Sequence, residues 1–159
     1  GAVGDGAENH EQLMQRVAVL TAFEQVGGST RCVEISTDYA KERYAFGRPI
    51  GSNQAIKHKL AMMWVKTEVA RSHAYYGAWA LSTGASELPK AAAASRVAGC
   101  EAYWFASKET IQTHGGMGFT WEVDAHLFYR RAKLLGVQCG AERQWKEKLI
   151  GSIERENAA

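Results

Sequence analysis

A chain of 159 residues, 46% hydrophobic, 23% charged and with two prolines, has material for one buried core and lies outside the composition of disordered chains. Nineteen basic and 17 acidic residues leave a formal net charge of +2, too weak a field to hold nucleic acid or anionic membrane, so any anion site must be local. Cys32, Cys100 and Cys139 are widely spaced and form no CxxC pair, which excludes a zinc knuckle or disulfide framework and predicts a reducing compartment, by default the cytoplasm; no apolar run approaches the roughly 20 residues that span a bilayer.

The glycine-rich start, residues 1–9, reads as a flexible lead-in, without the basic-then-apolar order of a signal peptide. Residues 10–43 lack proline and carry Leu13, Val17, Leu20, Val33, Ile35 and Tyr39 at helical rather than alternating spacing, which predicts a long first helix. Gly27 and Gly28 are its weak point, and close approach of another backbone explains the pair better than a break. Residues 46–53 gather glycine, proline and capping types, so they predict a connecting loop with Ser52 or Asn53 as N-cap of the next helix. There Ile56, Leu60, Met63, Thr67, Ala70 and Ala74 form one sustained stripe to about residue 81.

Pro89 suits the first turn of a third helix, where a missing N–H costs nothing. Small residues fill that helix's first half, from Ala91 to Gly99, inviting a close neighbour, and Tyr103, Trp104, Phe105 and Ile111 fill its second. Gly115, Gly116 and Gly118 end it near residue 114. A fourth helical pattern runs from about residue 123 to 136, with a short charged helix over 141–150 and a tail over 153–159. No strand-like alternation appears, so the expected fold is all-α, an antiparallel four-helix bundle over residues 10–152.

Two segments identify a family. The run Tyr39-Ala40-Lys41-Glu42-Arg43-Tyr44-Ala45-Phe46-Gly47-Arg48-Pro49-Ile50, with Gln54 and Lys59-Leu60-Ala61 after it, resembles the helix–loop–helix signature of the acyl-CoA dehydrogenases. Some 60 residues on, Ile111-Gln112-Thr113-His114-Gly115-Gly116-Met117-Gly118-Phe119 resembles the second signature, and the resemblance covers about residues 13–150. The stretch from Phe119 to Leu127 is similar to a bacterial branch whose members handle fatty acids or sterol side chains. The resemblance implies the C-terminal helical domain of an FAD-dependent enzyme that places a 2,3 double bond in an acyl-CoA thioester.

It also implies roles residue by residue. Arg43 would reach the FAD pyrophosphate of a partner subunit, a task suited to a planar, permanently charged fork. Phe46 would pack against the same nucleotide, Gln54 would face the neighbour's cofactor, and Gln112 with the Gly115–Gly116 backbone would contact the pyrophosphate and adenosine half. One FAD spans two subunits in the family, so a homo- or hetero-oligomer with another acyl-CoA dehydrogenase subunit is implied. His114 and His126, with Glu122 and Asp124 near, lack the spacing of a zinc helix, and no metal is expected.

The pattern breaks at the catalytic base. Where many members carry Tyr-Glu-Gly, this chain has Gln138-Cys139-Gly140; where others keep the base on the first helix, 29 residues before the loop phenylalanine, it has Val17, followed by Ala18 in place of an arginine. No catalytic residue is assigned. The expectation is a chain that grips FAD without supplying the base, as in the non-catalytic subunit of a mixed oligomer. The family's N-terminal helical and middle β-domains have no counterpart in these residues, so the piece is expected to be inactive alone. A flavin monooxygenase or oxidase on the same bundle, and a non-catalytic scaffold, are the alternatives.

Overall fold

The computed structural model describes residues 5–158. Helix α1 spans Gly6–Glu42, α2 Gln54–Thr83, α3 Leu88–His114, α4 Ala125–Val137 and α5 Glu142–Ala158. Contacts fix their directions. Thr30 meets Arg71 while Phe23 meets Tyr75, so α1 and α2 run antiparallel. Ser95 reaches His73 and Glu109 reaches Lys59, making α2 and α3 antiparallel too. Arg96 meets Leu135 and Trp104 meets Tyr129, which turns α4 back along α3. The fold is the all-α bundle expected from the sequence, with five helices rather than four and a tail.

Helix α3 is the axis. It packs against each of the other four helices, and Ala91, Ala92, Ala93, Ser95 and Arg96 are all fully buried. Its small side chains permit the approach: a Cβ on Gly99 would lie 3.4 Å from the Ala22 Cα. Of the glycine pair in α1, Gly28 is closely packed, by a side chain rather than the expected backbone, because a Cβ there would strike the Tyr103 ring at 2.4 Å, whereas a Cβ on Gly27 would meet nothing within 4 Å; the helix continues through both glycines. Polar pairs set the register in this interior. Ser29 Oγ lies 2.6 Å from Thr67 Oγ1, and Ser36 Oγ donates to Thr110 Oγ1 at 3.0 Å. Each satisfies groups that would be costly if buried alone.

Several expectations are corrected. Residues 6–9, expected as lead-in, form the first turn of α1; residues 1–4 lie outside the described part. The tail expected from residue 153 is helical to Ala158, since α5 lies along α3 with Lys90 paired to Glu156 at 2.7 Å and Lys146 to Glu101 at 2.8 Å. Leu13 and Leu20, whose spacing pointed to the helix, are 57% and 66% exposed. The buried stripe of α1 is instead Gln15, Ala18, Val19, Ala22, Gln25, Val26, Ser29, Cys32 and Ser36. Asn53 is the N-cap residue of α2, yet its side chain turns back into the loop, accepting from Arg48 at 2.6 Å and donating to the Ile50 carbonyl at 3.1 Å.

Between α1 and α2 the chain makes a minimal hairpin. Strand β1, Tyr44–Ala45, pairs antiparallel with β2, Arg48–Pro49, around Phe46 and Gly47 at φ +55° and +78°. Two successive positive φ values match the twist of paired strands, a conformation easy for glycine and unusual for phenylalanine. Gly51 then passes so close to α1 that a Cβ would sit 2.8 Å from the Ala40 carbonyl oxygen, which docks the hairpin's base.

Candidate functional site

The long α1 delivers Tyr39 and Arg43 to one end of the bundle, where α3 stops. Gly115 ends α3 at φ +61°, and residues Gly115–Phe119 make a 3-10 turn that folds back on the helix: a Cβ on Gly118 would lie 2.7 Å from the Ile111 carbonyl oxygen. Between these elements lies an open cleft of about 490 Å³, lined by Tyr39, Arg43, Ile50, Gln112, Gly115 and Gly116 among others. Four of the six residues singled out from the sequence, Arg43, Gln112, Gly115 and Gly116, therefore share one cleft. Phe46 and Gln54 are not part of its lining. Phe46 stands fully exposed at the hairpin tip, and Gln54 opens α2 on the exposed surface.

Two features of the cleft are unexplained by packing within the chain. Arg43 is exposed and has no acidic partner among the described residues. Gly116 has no positive φ, and a Cβ there would meet nothing within 4 Å; a side chain would project into open space. A cation without a counter-ion, beside glycine backbone that a ligand can approach closely, is suited to a phosphate-bearing group. The donor set thus fits the pyrophosphate of a dinucleotide such as FAD.

Toward the other end of the bundle the turn that follows α4 is fastened to α3 and α5. Arg96, fully buried on α3, donates from Nη2 to the carbonyls of Leu135 and, at 2.7 Å, of Gln138, so it holds the last turn of α4. A guanidinium at a helix C-terminus meets the negative end of the helix dipole. Cys139 and Gly140 follow at φ +55° and +97°, and the Cys139 carbonyl accepts from Trp145 Nε1 at 3.0 Å. The Trp145 indole, 2% exposed, lies in one cluster with Ala18, Val19, Ala92 and Ala93. Ala18 has no exposed surface, so a longer side chain there would displace the indole. Trp145 thus links the 138–140 turn, where one candidate base position falls, to Ala18, which follows the other, Val17. Glu24, farther along α1, accepts from Arg131 Nε at 2.6 Å.

Burial raises the Cys32 thiol to about 12 and moves Cys100 in the same direction. His114 stacks on Tyr39, and His126 lies edge-on to Trp121. No group of three metal-ligating side chains forms among the described residues, and no helix is long and apolar enough to cross a membrane. Sequence reasoning missed Arg96 and Trp145, because a basic residue in an alanine run and a lone tryptophan in a charged helix carry no motif. It weighed His114 only as a metal ligand.

The model of the "Acyl-CoA dehydrogenase, C-terminal domain" family matches residues 4–144. The chain belongs to the acyl-CoA dehydrogenase family. This acyl-CoA dehydrogenase domain is 44% identical over 120 residues to acyl-CoA dehydrogenase IpdE2 of Mycobacterium tuberculosis, covering 76% of the chain and 36% of that protein. It is 36% identical over 140 residues to FadE34 of the same organism, covering 87% of the chain and 20% of the relative. In structure it resembles butyryl-CoA dehydrogenase of Megasphaera elsdenii, with a TM-score of 0.91 at 24% identity over 96% of the chain and 40% of the other, a likeness of fold. The chain therefore spans about a third or less of the curated relatives just named.

Proposed function

We propose that this domain is the FAD-gripping, oligomer-forming part of an acyl-CoA dehydrogenase subunit that does not itself provide the catalytic base. The carrying observation is the contrast between the cleft, where Arg43 has no acidic partner among the described residues and open space lies over Gly116, and the 138–140 turn, whose Gln138 and Cys139 carbonyls are taken up by Arg96 and Trp145. Arg43 would hold the pyrophosphate through its guanidinium fork, with Gln112 and the Gly115 and Gly116 backbone beside it. Phe46, fully exposed on a hairpin that places it at positive φ, would pack against nucleotide bound by a second subunit, as would Gln54. Bound flavin would supply the hydride acceptor for 2,3-dehydrogenation.

No carboxylate replaces the base. Cys139 is a thiol in a turn held by its neighbours, Val17 is apolar, and the Glu24 carboxylate is paired with Arg131. The acyl-CoA, its chain length and the base itself would come from segments and subunits beyond this domain. The test is the flavin absorbance of the full-length protein, purified with and without companion dehydrogenase subunits, before and after acyl-CoA is added. Bound FAD that bleaches only with a companion is the expected result. Bleaching by the lone subunit would place a base within it and overturn the reading, as would failure to bind FAD in any combination.

A further inference from the structure

His114 sits between Gln112 and the glycine pair, lines the cleft and is only 5% exposed. Its Nδ1 lies 2.8 Å from the Thr110 carbonyl oxygen one helical turn back. A carbonyl can only accept, so Nδ1 carries the proton, and a neutral imidazole then bears its lone pair on Nε2. The ring cannot readily swivel. Tyr39 stacks on it with centroids 4.2 Å apart and planes inclined by 29°, and Thr110 is anchored to α1 through Ser36. Nε2, on the side of the ring away from the helix, has no protein partner among the described residues.

The Arg43 guanidinium offers only N–H groups, which suits the pyrophosphate, since that group only accepts. The part of a dinucleotide that carries hydroxyl and amino groups needs acceptors, and among the side chains lining the cleft His114 Nε2 joins the Gln112 amide oxygen in that role. Resting on the reading that the cleft holds the flavin nucleotide, we propose that His114 is a specificity-determining residue whose Nε2 accepts a hydrogen bond from a ribose hydroxyl or the amino group of the adenosine half of FAD. The imidazole acts there as an acceptor and not as a cation.

The experiment measures FAD affinity by flavin fluorescence in the full-length assembled enzyme, for the unaltered protein, His114→Phe, His114→Gln and Arg43→Ala. Phenylalanine keeps a ring against Tyr39 and removes both nitrogens, and thermal melting checks that the variant is folded. Loss of one neutral hydrogen bond weakens FAD binding by about 3- to 10-fold. His114→Gln, whose amide oxygen can still accept a hydrogen bond, should bind FAD more tightly than His114→Phe.

Binding by His114→Gln no tighter than by folded His114→Phe would overturn the inference; should His114→Phe prove too unstable to study, unchanged FAD affinity in folded His114→Ala would overturn it. Unchanged affinity in folded His114→Phe, with binding weakened by Arg43→Ala, would remove His114 alone. Unchanged affinity in both variants would remove the flavin cleft itself.

Discussion

The two ends of α1 have opposite characters. At Tyr39 and Arg43 the helix runs into a cleft where a cation lacks a counter-ion and a glycine has empty space over its Cα. At Ala18 and Val19, nearer its start, it shares a cluster with a buried indole that also clasps the 138–140 turn. Groups the fold leaves unsatisfied are those a ligand can complete, whereas groups already paired and packed have little left to offer chemistry. The same helix can therefore carry a binding site at one end and a structural seal at the other.

The seal is the easier to break. Trp145→Ala should cost about 3–5 kcal/mol of stability, since it empties a large core site and frees the Cys139 carbonyl; denaturant melting of the domain measures this, and a loss under about 1 kcal/mol would show that the indole is not the seal. Two glycines three residues or fewer apart then separate packing from binding. Gly118→Ala should destabilise by about 1–3 kcal/mol, because its Cβ meets the Ile111 backbone at 2.7 Å. Gly116→Ala should leave melting within about 0.5 kcal/mol of the parent and weaken FAD retention in the full-length enzyme; equal melting losses in both would erase the distinction.

A gentler probe is alkylation of the folded protein. Cys139 is partly exposed while Cys32 and Cys100 are buried, with burial making both thiols weaker acids, so a neutral maleimide should label one site rapidly and the other two only on unfolding, as read by mass spectrometry. The smallest effect belongs to the Glu11–Lys148 pair at 2.7 Å on the sealed side. The hydrogen bond from Lys148 lowers the Glu11 carboxyl below its ordinary 4.5. A depressed folded-state value stabilises above the unfolded one and is lost as pH falls through the folded one. Lys148→Met should therefore reduce the fall in melting temperature on acidification below about pH 4.5 slightly, and by no more than an exposed pair allows.

The sequence made α2 and α3 legible because their faces are written in size. Met63, Thr67, Ala70 and Ala74, taken as one stripe, are all buried, and the small first half of α3 lies at the centre of the bundle. The inner face of α1 was illegible for the converse reason. Its buried positions include Gln15, Gln25, Ser29 and Ser36, the last three bonded to Cys100, Thr67 and Thr110 on neighbouring helices, while Leu13 and Leu20 face outward. Hydrophobic periodicity cannot detect an interface built from small and polar residues. At the site, the glycine cluster and Arg43 carried a pattern, but the clasp formed by Arg96 and Trp145 depends on α4 and α5 returning to α3, a tertiary fact with no local signature.

Arg96 also sets a lower limit on how far this domain can be trimmed. Its charge is fully enclosed, its two carbonyl partners belong to Leu135 and Gln138, and Nε and Nη1 have no partner of their own among the described residues. A piece ending before α4 would strand a guanidinium inside an apolar wall, a penalty of several kcal/mol. The first three helices are therefore not a self-sufficient core to which the last two were added; the innermost residue of the third helix already presupposes the fourth.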